Sequence, residues 1–224
     1  MRKQKNYHDL IPPKLASKPL LDSLGRKITD IRISLTDRCN FRCTYCMPKE
    51  VFHENYKFLS NKNLLSFNEI YAICSSFVTL GVEKIRLTGG EPLLRKNIEN
   101  LIKKLVHLKT LSNQPIEIAL TTNGTLLQKK SHLLYDAGLR NITVSLDSIN
   151  QDIFRKISNT EITVKKILDG IDSAKKSGLK VKVNMVVKKG VNDDQILPMA
   201  EYFKAKSITL RFIEFMDVGS TNEW

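Results

Sequence analysis

The chain has 224 residues and a net charge of +13, and 42% of its residues are hydrophobic while 26% are charged. This length is enough to bury one sizeable core, and single α/β barrels often have it. No apolar run reaches the roughly 18 residues of a transmembrane helix, so the composition argues against a membrane-spanning protein.

The N-terminal residues are basic and lack the apolar block of a secretory signal. They predict a basic extension over residues 1–24, followed by a core domain over residues 25–224. Much of the remaining positive charge forms lysine pairs in helix-like stretches, such as Lys129-Lys130 and Lys175-Lys176. Because such pairs are typical of solvated helix faces, they do not predict nucleic-acid binding.

Strand-like and helix-like segments alternate along the chain. Strands are predicted at 31–35, 84–88, 116–121, 141–146, 180–187 and 208–212, and helices near 67–80, 98–108, 126–137, 164–177 and 195–204. This alternation is typical of a parallel sheet built from βαβ units.

The strands alternate polar and apolar residues, whereas parallel strands that are covered on both faces read as continuous apolar runs. One face of each strand therefore packs on helices, and the other lines a wet or charged space. We predict an α/β fold, a partial (β/α)6 TIM-like barrel, with a doubly wound sheet as the alternative.

The polar face of the predicted strands is rich in cations. They are Arg32, Lys84, Arg86, Lys182 and Arg211. Converging cations repel each other and are costly to desolvate, and a polyanionic small molecule such as a triphosphate would resolve that conflict. The alternative for each cation singly is an ion pair with Glu117 or a loop acid.

Three loops with chemical character follow the first three strands. A cysteine loop follows the first, Gly89-Gly90-Glu91-Pro92 the second, and Thr122-Asn123-Gly124 the third. Chemistry in (β/α) barrels lies at the C-terminal ends of the strands, so the three loops are predicted to share one rim.

Three of the four cysteines, Cys39, Cys43 and Cys46, lie within eight residues, and Cys74 falls in an apolar helical pattern. This arrangement indicates a metal site in a reducing compartment rather than a disulfide framework. Structural zinc takes four protein ligands, whereas an iron–sulfur cubane on three thiolates keeps one iron open for chemistry. A zinc site with a histidine, or three unconnected thiols, are the alternatives, and Cys74 is predicted to be a buried small apolar residue.

A CxxxCxxC loop followed some forty residues later by Gly-Gly-Glu-Pro resembles the radical S-adenosylmethionine (SAM) superfamily. The resemblance implies a [4Fe–4S] cluster on the three cysteines, with SAM on the open iron as the source of a 5′-deoxyadenosyl radical. It implies SAM contacts for Tyr45, Gly89, Gly90, Glu91, Ser145, Asn184 and Met216. The alternatives are a tight turn at the glycines, an aromatic lid at Tyr45, a capping hydroxyl at Ser145 and a core thioether at Met216.

Longer segments resemble the GTP 3′,8-cyclase family of molybdenum cofactor biosynthesis. Among them are Asp30-Ile-Arg32, Lys84-Ile-Arg86-Leu-Thr88, Thr121-Thr-Asn-Gly124, Lys180-Val-Lys182-Val-Asn184 and Arg211-Phe-Ile-Glu-Phe-Met216. The family is implied to hold GTP through Arg32, Arg86, Thr121 and Lys182, with Lys84 and Arg211 as further phosphate contacts.

The resemblance implies a lyase that abstracts the C3′ hydrogen of GTP and forms (8S)-3′,8-cyclo-7,8-dihydroguanosine 5′-triphosphate. It further implies a cytoplasmic homodimer whose product passes to cyclic pyranopterin monophosphate synthase. The family binds a second cluster through three cysteines of a C-terminal extension, and this sequence, which ends at Trp224, lacks that set. The expectation is that the chain loads the first cluster and SAM without completing the cyclisation.

Two other functions are alternatives to this interpretation of the sequence. The first is another radical SAM enzyme, which modifies peptides or nucleic acids. A nucleic-acid substrate would require a basic groove with stacking aromatic residues, and no such pattern is visible. The second is a non-catalytic protein that binds an iron–sulfur cluster and SAM.

Overall fold

The computed structural model describes residues 19–216, so most of the predicted extension over residues 1–24 lies outside the described residues. Strands and α-helices alternate along the described part of the chain. In order they are β1 (Asp30–Ser34), α1 (Phe67–Thr79), β2 (Lys84–Thr88), α2 (Ile98–Leu105), β3 (Glu117–Thr122), α3 (Leu127–Asp136), β4 (Asn141–Ser145), α4 (Gln151–Ser158), α5 (Val164–Lys176), β5 (Lys180–Val187), α6 (Ile196–Ala205) and β6 (Thr209–Glu214).

The six strands form one parallel sheet in the sequential order β1-β2-β3-β4-β5-β6. A doubly wound sheet reverses its strand order part-way, so the sequential order excludes that alternative. Because β1 and β6 stand at the two ends of the sheet, the structure confirms the partial (β/α)6 TIM-like barrel.

The predicted alternation of the strands is visible in their burial. In β2, Ile85 and Leu87 are fully buried, whereas the neighbouring Lys84 and Arg86 are partly exposed. In β5, Val183 and Met185 are fully buried and Lys182 is exposed. The apolar face therefore packs under the helices, and the polar face lines the open side of the sheet.

Local capping explains where several helices begin. Ser66 and Glu69 form a reciprocal capping box at the start of α1, which satisfies two backbone N–H groups at the N-terminus of the helix. The side chains of Asn150 and Thr163 accept backbone N–H groups at the starts of α4 and α5. Three helices are thus positioned by caps that the local sequence supplies.

The helices bury an apolar core against the sheet. Ile102 of α2, Ile167 of α5 and Phe203 of α6 are fully buried. Cys74 of α1 belongs to the same core with no exposed surface, which confirms its prediction as a small apolar residue, and burial raises the pKa of its thiol to about 12.

Helix α4 has no counterpart among the predicted helices. It has only eight residues and lies between β4 and α5, in a segment to which the sequence analysis assigned no element. Two short 3-10 turns, Pro92–Leu94 and Asp193–Gln195, were likewise not predicted. Such short segments carry too few residues to show a helical period.

Two further details differ from the predictions. Helix α2 ends at Leu105 rather than near Leu108. Phe212 follows Arg211 in β6, so the alternation predicts it on the apolar face that packs on helices, yet it is 47% exposed because β6 is an edge strand. Among the helices within residues 19–216, none combines the length and the apolar character needed to cross a bilayer.

Two adjacent leucines of α3 test the placement of the core. Leu134 is 1% exposed and Leu133 is 53% exposed. We expect Leu134→Ala to lower the free energy of unfolding by about 2–5 kcal/mol, because it leaves a cavity under the helix. Urea titration followed by circular dichroism measures the change.

Leu133→Ala is the matched control and should change the free energy of unfolding by no more than about 0.5 kcal/mol. Equal losses for the two variants would contradict the assigned face of α3.

Candidate functional site: a cysteine loop above a polar sheet face

The three predicted loops lie together at the C-terminal ends of the strands. The backbone N–H of Gly90 donates to the Thr36 carbonyl at 2.8 Å, and that of Glu91 donates to the Arg38 carbonyl at 2.8 Å. The loop after β2 is therefore bound by its backbone to the start of the cysteine loop after β1.

Glycine is required at this contact by close approach. A Cβ atom on Gly90 would lie 2.4 Å from the carbonyl oxygen of Arg38, and one on Gly89 would lie 2.6 Å from the carbonyl oxygen of Thr36. Gly89 also has a φ of 148°. Any side chain at either position would push the two loops apart, because the clash is with backbone atoms.

The cysteine loop rests on helix α4. The backbone N–H groups of Arg42 and Thr44 donate to the carbonyls of Ser158 and Ile157 at 3.1 and 2.9 Å, at the C-terminal end of α4. The rings of Phe41 and Phe154 meet edge to face at 5.8 Å. The helix that the sequence did not reveal is thus a support for the candidate metal ligands.

The thiols of Cys39, Cys43 and Cys46 are free and influence one another. Burial is the largest cause that raises the pKa of all three thiols. Nearby cysteine thiolates raise the pKa further at Cys39 and Cys43. Without metal the thiols therefore remain protonated, and metal binding would release protons.

Three thiols on one loop are a donor set that an iron–sulfur cluster can use. Within residues 19–216, no three His, Cys, Asp or Glu side chains stand ready to bind one metal ion. A cubane holds its thiolates farther apart, because each sulfur binds a different iron. Thiolates are the usual ligands of such clusters, and the Sγ of Cys39 already accepts the Phe41 N–H at 3.4 Å.

Glu91 joins the loops after β2 and β3. Its carboxylate is 1% exposed. Oε1 accepts the Thr122 hydroxyl at 2.8 Å and the Leu93 N–H at 2.9 Å, and Oε2 accepts the Asn123 N–H at 2.7 Å. Burial raises the pKa of Glu91, although these three hydrogen bonds act to lower it.

Asn123 continues this network to the cysteine loop. Its amide nitrogen donates to Asn40 Oδ1 at 2.8 Å and lies 3.9 Å from the Sγ of Cys39. Its Oδ1 accepts the hydroxyl and the N–H of Thr125. Sequence reasoning placed the Thr-Asn-Gly turn on the rim but gave its side chains no role. The buried network shows that they hold a candidate ligand loop in place.

Tyr45 lies between two candidate ligands and points inward. Its hydroxyl donates to Asp147 Oδ2 at 2.7 Å, and its ring meets Phe215 edge to face at 6.4 Å. Burial raises the pKa of Tyr45 well above its ordinary value, and the carboxylate of Asp147 raises it further. Asp147 lies two residues beyond the last residue of β4, and the sequence analysis gave its side chain no role.

The other candidate SAM residues differ in their surroundings. Ser145 and Asn184 stand opposite each other in the register of β4 and β5. The Oδ1 of Asn184 is buried and has no hydrogen-bond partner among the described residues, so it is an acceptor that a ligand could satisfy. Met216 follows β6 and is 66% exposed.

The structure brings three of the predicted cations together. Burial lowers the pKa of Arg86, and the neighbouring positive charges of Arg32 and Arg211 lower it further. Arg86 donates to the Thr121 hydroxyl at 3.5 Å, and Arg211 donates to the Thr143 hydroxyl at 3.1 Å. The guanidinium groups of Arg32 and Arg211 thus repel that of Arg86 on the open polar face.

The remaining cations are placed differently. Lys182 is exposed on the same face, opposite Thr143 and Thr209 in the register. Lys84 forms an ion pair with Glu117 at 2.6 Å near the N-terminal ends of the strands. The alternative of an ion pair with Glu117 therefore applies to Lys84. The Nε of Arg211 is buried and has no hydrogen-bond partner within residues 19–216, so it is a donor free for an anion.

Comparison with known families decides the chemistry of the loop. The pattern of the radical SAM superfamily matches residues 33–203. The chain belongs to the radical SAM superfamily. This membership assigns a [4Fe–4S] cluster and SAM as its cofactors, in agreement with a loop that carries three free thiols.

The chain also resembles individual curated proteins. The chain is 55% identical over 203 residues to proteins named GTP 3′,8-cyclase from Staphylococcus haemolyticus and from Staphylococcus aureus (strain JH9). The matched segment is 91% of this chain and 58% of each relative, so the chain spans somewhat more than half the length of these proteins.

Solved structures share the fold at lower identity. One is anSMEcpe with bound AdoMet, with a TM-score of 0.67 and 20% identity over 88% of this chain and 52% of that chain. Another is Streptococcus suis SuiB bound to the precursor peptide SuiA, with a TM-score of 0.66 and 19% identity over 84% of this chain and 40% of that chain. At this identity the likeness supports the fold alone.

The buried carboxylate of Glu91 offers a test of the rim. Glu91→Gln places an amide NH2 against the N–H of Asn123 or against the donors at Oε1, so at least one hydrogen bond becomes a repulsion. We expect the free energy of unfolding to fall by about 1–3 kcal/mol, measured by urea titration.

Glu83→Gln is the control, because the exposed side chain of Glu83 lies at the opposite end of β2 from Glu91. It should leave the stability within about 0.5 kcal/mol of the wild type. An unchanged stability for Glu91→Gln would show that the loops do not depend on this carboxylate.

Proposed function

We propose that the chain is the radical SAM core of a GTP 3′,8-cyclase, a lyase of molybdenum cofactor biosynthesis. The observation that carries the proposal is the cluster of Arg32, Arg86 and Arg211 on the polar face below the cysteine loop. Repelling guanidinium groups are stabilised by a polyanion such as a triphosphate. The relatives named GTP 3′,8-cyclase support the same substrate.

The residues divide into three groups in this proposal. The cluster would be held by Cys39, Cys43 and Cys46. SAM would contact Tyr45, Gly89, Gly90, Glu91, Ser145, Asn184 and Met216. GTP would contact Arg32, Arg86, Thr121 and Lys182, with Arg211 and Lys84 as further phosphate contacts. Lys84 would have to exchange its ion pair with Glu117 for that contact.

When bound, the cluster and SAM supply a 5′-deoxyadenosyl radical, which would remove the C3′ hydrogen of GTP on the way to (8S)-3′,8-cyclo-7,8-dihydroguanosine 5′-triphosphate. The chain itself would orient SAM and GTP and enclose them. The paired loops after β1 and β2 fix the cysteines. Asn184 of β5 stands opposite Ser145 of β4 and Arg211 of β6 in the register. Glu91 takes no direct part through its side chain, since its carboxylate is occupied by three donors.

We also propose a domain organisation, a location and partners for the protein. Residues 25–224 would form the core domain, with residues 1–24 as a basic extension. The protein would act in the cytoplasm as a homodimer, and cyclic pyranopterin monophosphate synthase would use its product. The chain spans 58% of the relatives' length. We expect that this chain alone does not complete the cyclisation.

A second candidate is a radical SAM enzyme that modifies a peptide, since SuiB bound to a precursor peptide shares the fold. A peptide does not require a cluster of cations on the sheet face. Affinity for GTP that depends on those cations therefore distinguishes the two functions. A non-catalytic protein that only binds the cluster and SAM would leave SAM uncleaved.

Iron loading tests the metal ligands. We expect Cys39→Ser, Cys43→Ser and Cys46→Ser each to lose most of the iron and the charge-transfer absorption after anaerobic reconstitution, because a thiolate is the preferred ligand. Cys74→Ala is the control and should load like the wild type, since Cys74 lies in the core under α1. Full loading of the three serine variants would contradict the assignment.

GTP affinity tests the cations. We expect Lys182→Ala and Arg211→Ala each to raise the dissociation constant of GTP roughly tenfold or more, because each removes a charge-assisted hydrogen bond. Equilibrium dialysis of the reconstituted protein measures the change.

Charge-matched controls are Lys103→Ala in α2 and Arg155→Ala in α4, both exposed residues on helices. They should bind GTP like the wild type. If the controls and the sheet variants lose affinity equally, net charge rather than this site attracts GTP.

A further inference from the structure

Asp147 joins three segments that carry candidate SAM residues. It lies two residues beyond Ser145, the last residue of β4. Its Oδ2 accepts the hydroxyl of Tyr45 at 2.7 Å, and its Oδ1 accepts the backbone N–H of Val186 at 2.9 Å. Val186 in turn lies two residues beyond Asn184 on β5. One carboxylate thus connects the cysteine loop, the end of β4 and β5.

The side chain of Asn192 binds the backbone that carries this carboxylate. Asp147 is 6% exposed. The amide nitrogen of Asn192 donates to the carbonyls of Asp147 and Val186, each at 2.8 Å, and its Oδ1 accepts the N–H of Lys188 at 2.8 Å. Asn192 is 1% exposed, so this clamp is closed off from water. The position of the Asp147 backbone relative to β5 is therefore fixed by contacts that do not involve Tyr45.

Tyr45 needs such an anchor. It lies between Cys43 and Cys46 in a loop without regular secondary structure, where a tyrosine ring could turn about its side-chain bonds. The hydrogen bond to Asp147 spans 102 residues of sequence and fixes the far end of the ring. Phe215 meets the same ring edge to face, which restricts its rotation.

We propose that Asp147 is a positioning residue for SAM, which acts by holding the ring of Tyr45 against the ends of β4 and β5. The inference rests on the proposed function, since it takes Tyr45, Ser145 and Asn184 as one binding surface. Asp147 touches no cofactor in this account, and it acts only through Tyr45 and the backbone of β5. The unsatisfied Oδ1 of Asn184 lies on the surface that this network positions.

Affinity for SAM tests the inference in the reconstituted full chain. We expect Tyr45→Phe and Asp147→Asn each to raise the dissociation constant of SAM roughly tenfold, because each weakens the same charge-assisted hydrogen bond. The double variant should bind no more weakly than the weaker single variant, because one interaction cannot be lost twice. Iron content and GTP affinity should stay at the wild-type values.

Asp172→Asn is the matched control, since Asp172 pairs with Lys206 on the helical side of the sheet and should not change SAM binding. Wild-type affinity in Asp147→Asn, or fully additive effects in the double variant, would overturn the inference. Loss of iron in step with loss of SAM would overturn it as well, since the carboxylate would then serve only the fold of the loop. A wild-type chain that holds iron but binds no SAM would overturn the proposed function itself, and the inference with it.

Discussion

Side chains of a β-strand alternate between its two faces, and this constraint organises the whole site. In β2 and β5 the fully buried apolar residues take the face under the helices, so the residues between them must face the opposite side. On that side stand Arg32, Arg86 and Arg211, together with threonines that their guanidinium groups contact. A shift of one residue in the register of a strand would bury these charges in the core. The same packing that stabilises the fold therefore assembles a polar surface below the cysteine loop.

The rim above this surface is built from contacts between loops rather than within them. The backbone of the loop after β2 bonds to the start of the cysteine loop, and the carboxylate of Glu91 bonds to the turn after β3. Helix α4 supports the cysteine loop from the other side through Ser158 and Ile157. Buried polar networks of this kind are costly when a member is missing, so they fix one arrangement of the loops.

The elements with strong local periodicity were predictable from the sequence. The strands, the longer helices and the burial of Cys74 agree with their predictions to within a few residues. Helix α4 escaped because eight residues carry little helical period, although Asn150 at its start is a typical cap. The shape of the sheet followed from the polarity of its strands, since a sheet covered on both faces would not carry arginines there.

The partners of the site residues could not be predicted in the same way. The contact of Tyr45 with Asp147 joins residues 102 positions apart, and nothing local in either segment indicates the other. The pairing of Lys84 with Glu117 was one of two alternatives that strand polarity left open, and the register of β2 and β3 decides it by placing the two residues side by side. Residue types and the strand faces that they occupy are thus properties of the local sequence. Contacts between loops across the rim depend instead on the assembled barrel.

The most direct test of the central claim is hydrogen transfer from GTP. The chain would be reconstituted anaerobically with iron and sulfide, reduced, and given SAM with GTP that carries deuterium at C3′. The account predicts 5′-deoxyadenosine that contains deuterium by mass spectrometry, whether or not cyclised GTP accumulates. If a loaded chain binds SAM and yields only unlabelled 5′-deoxyadenosine, or none at all, the assignment of GTP as the substrate of this core is contradicted.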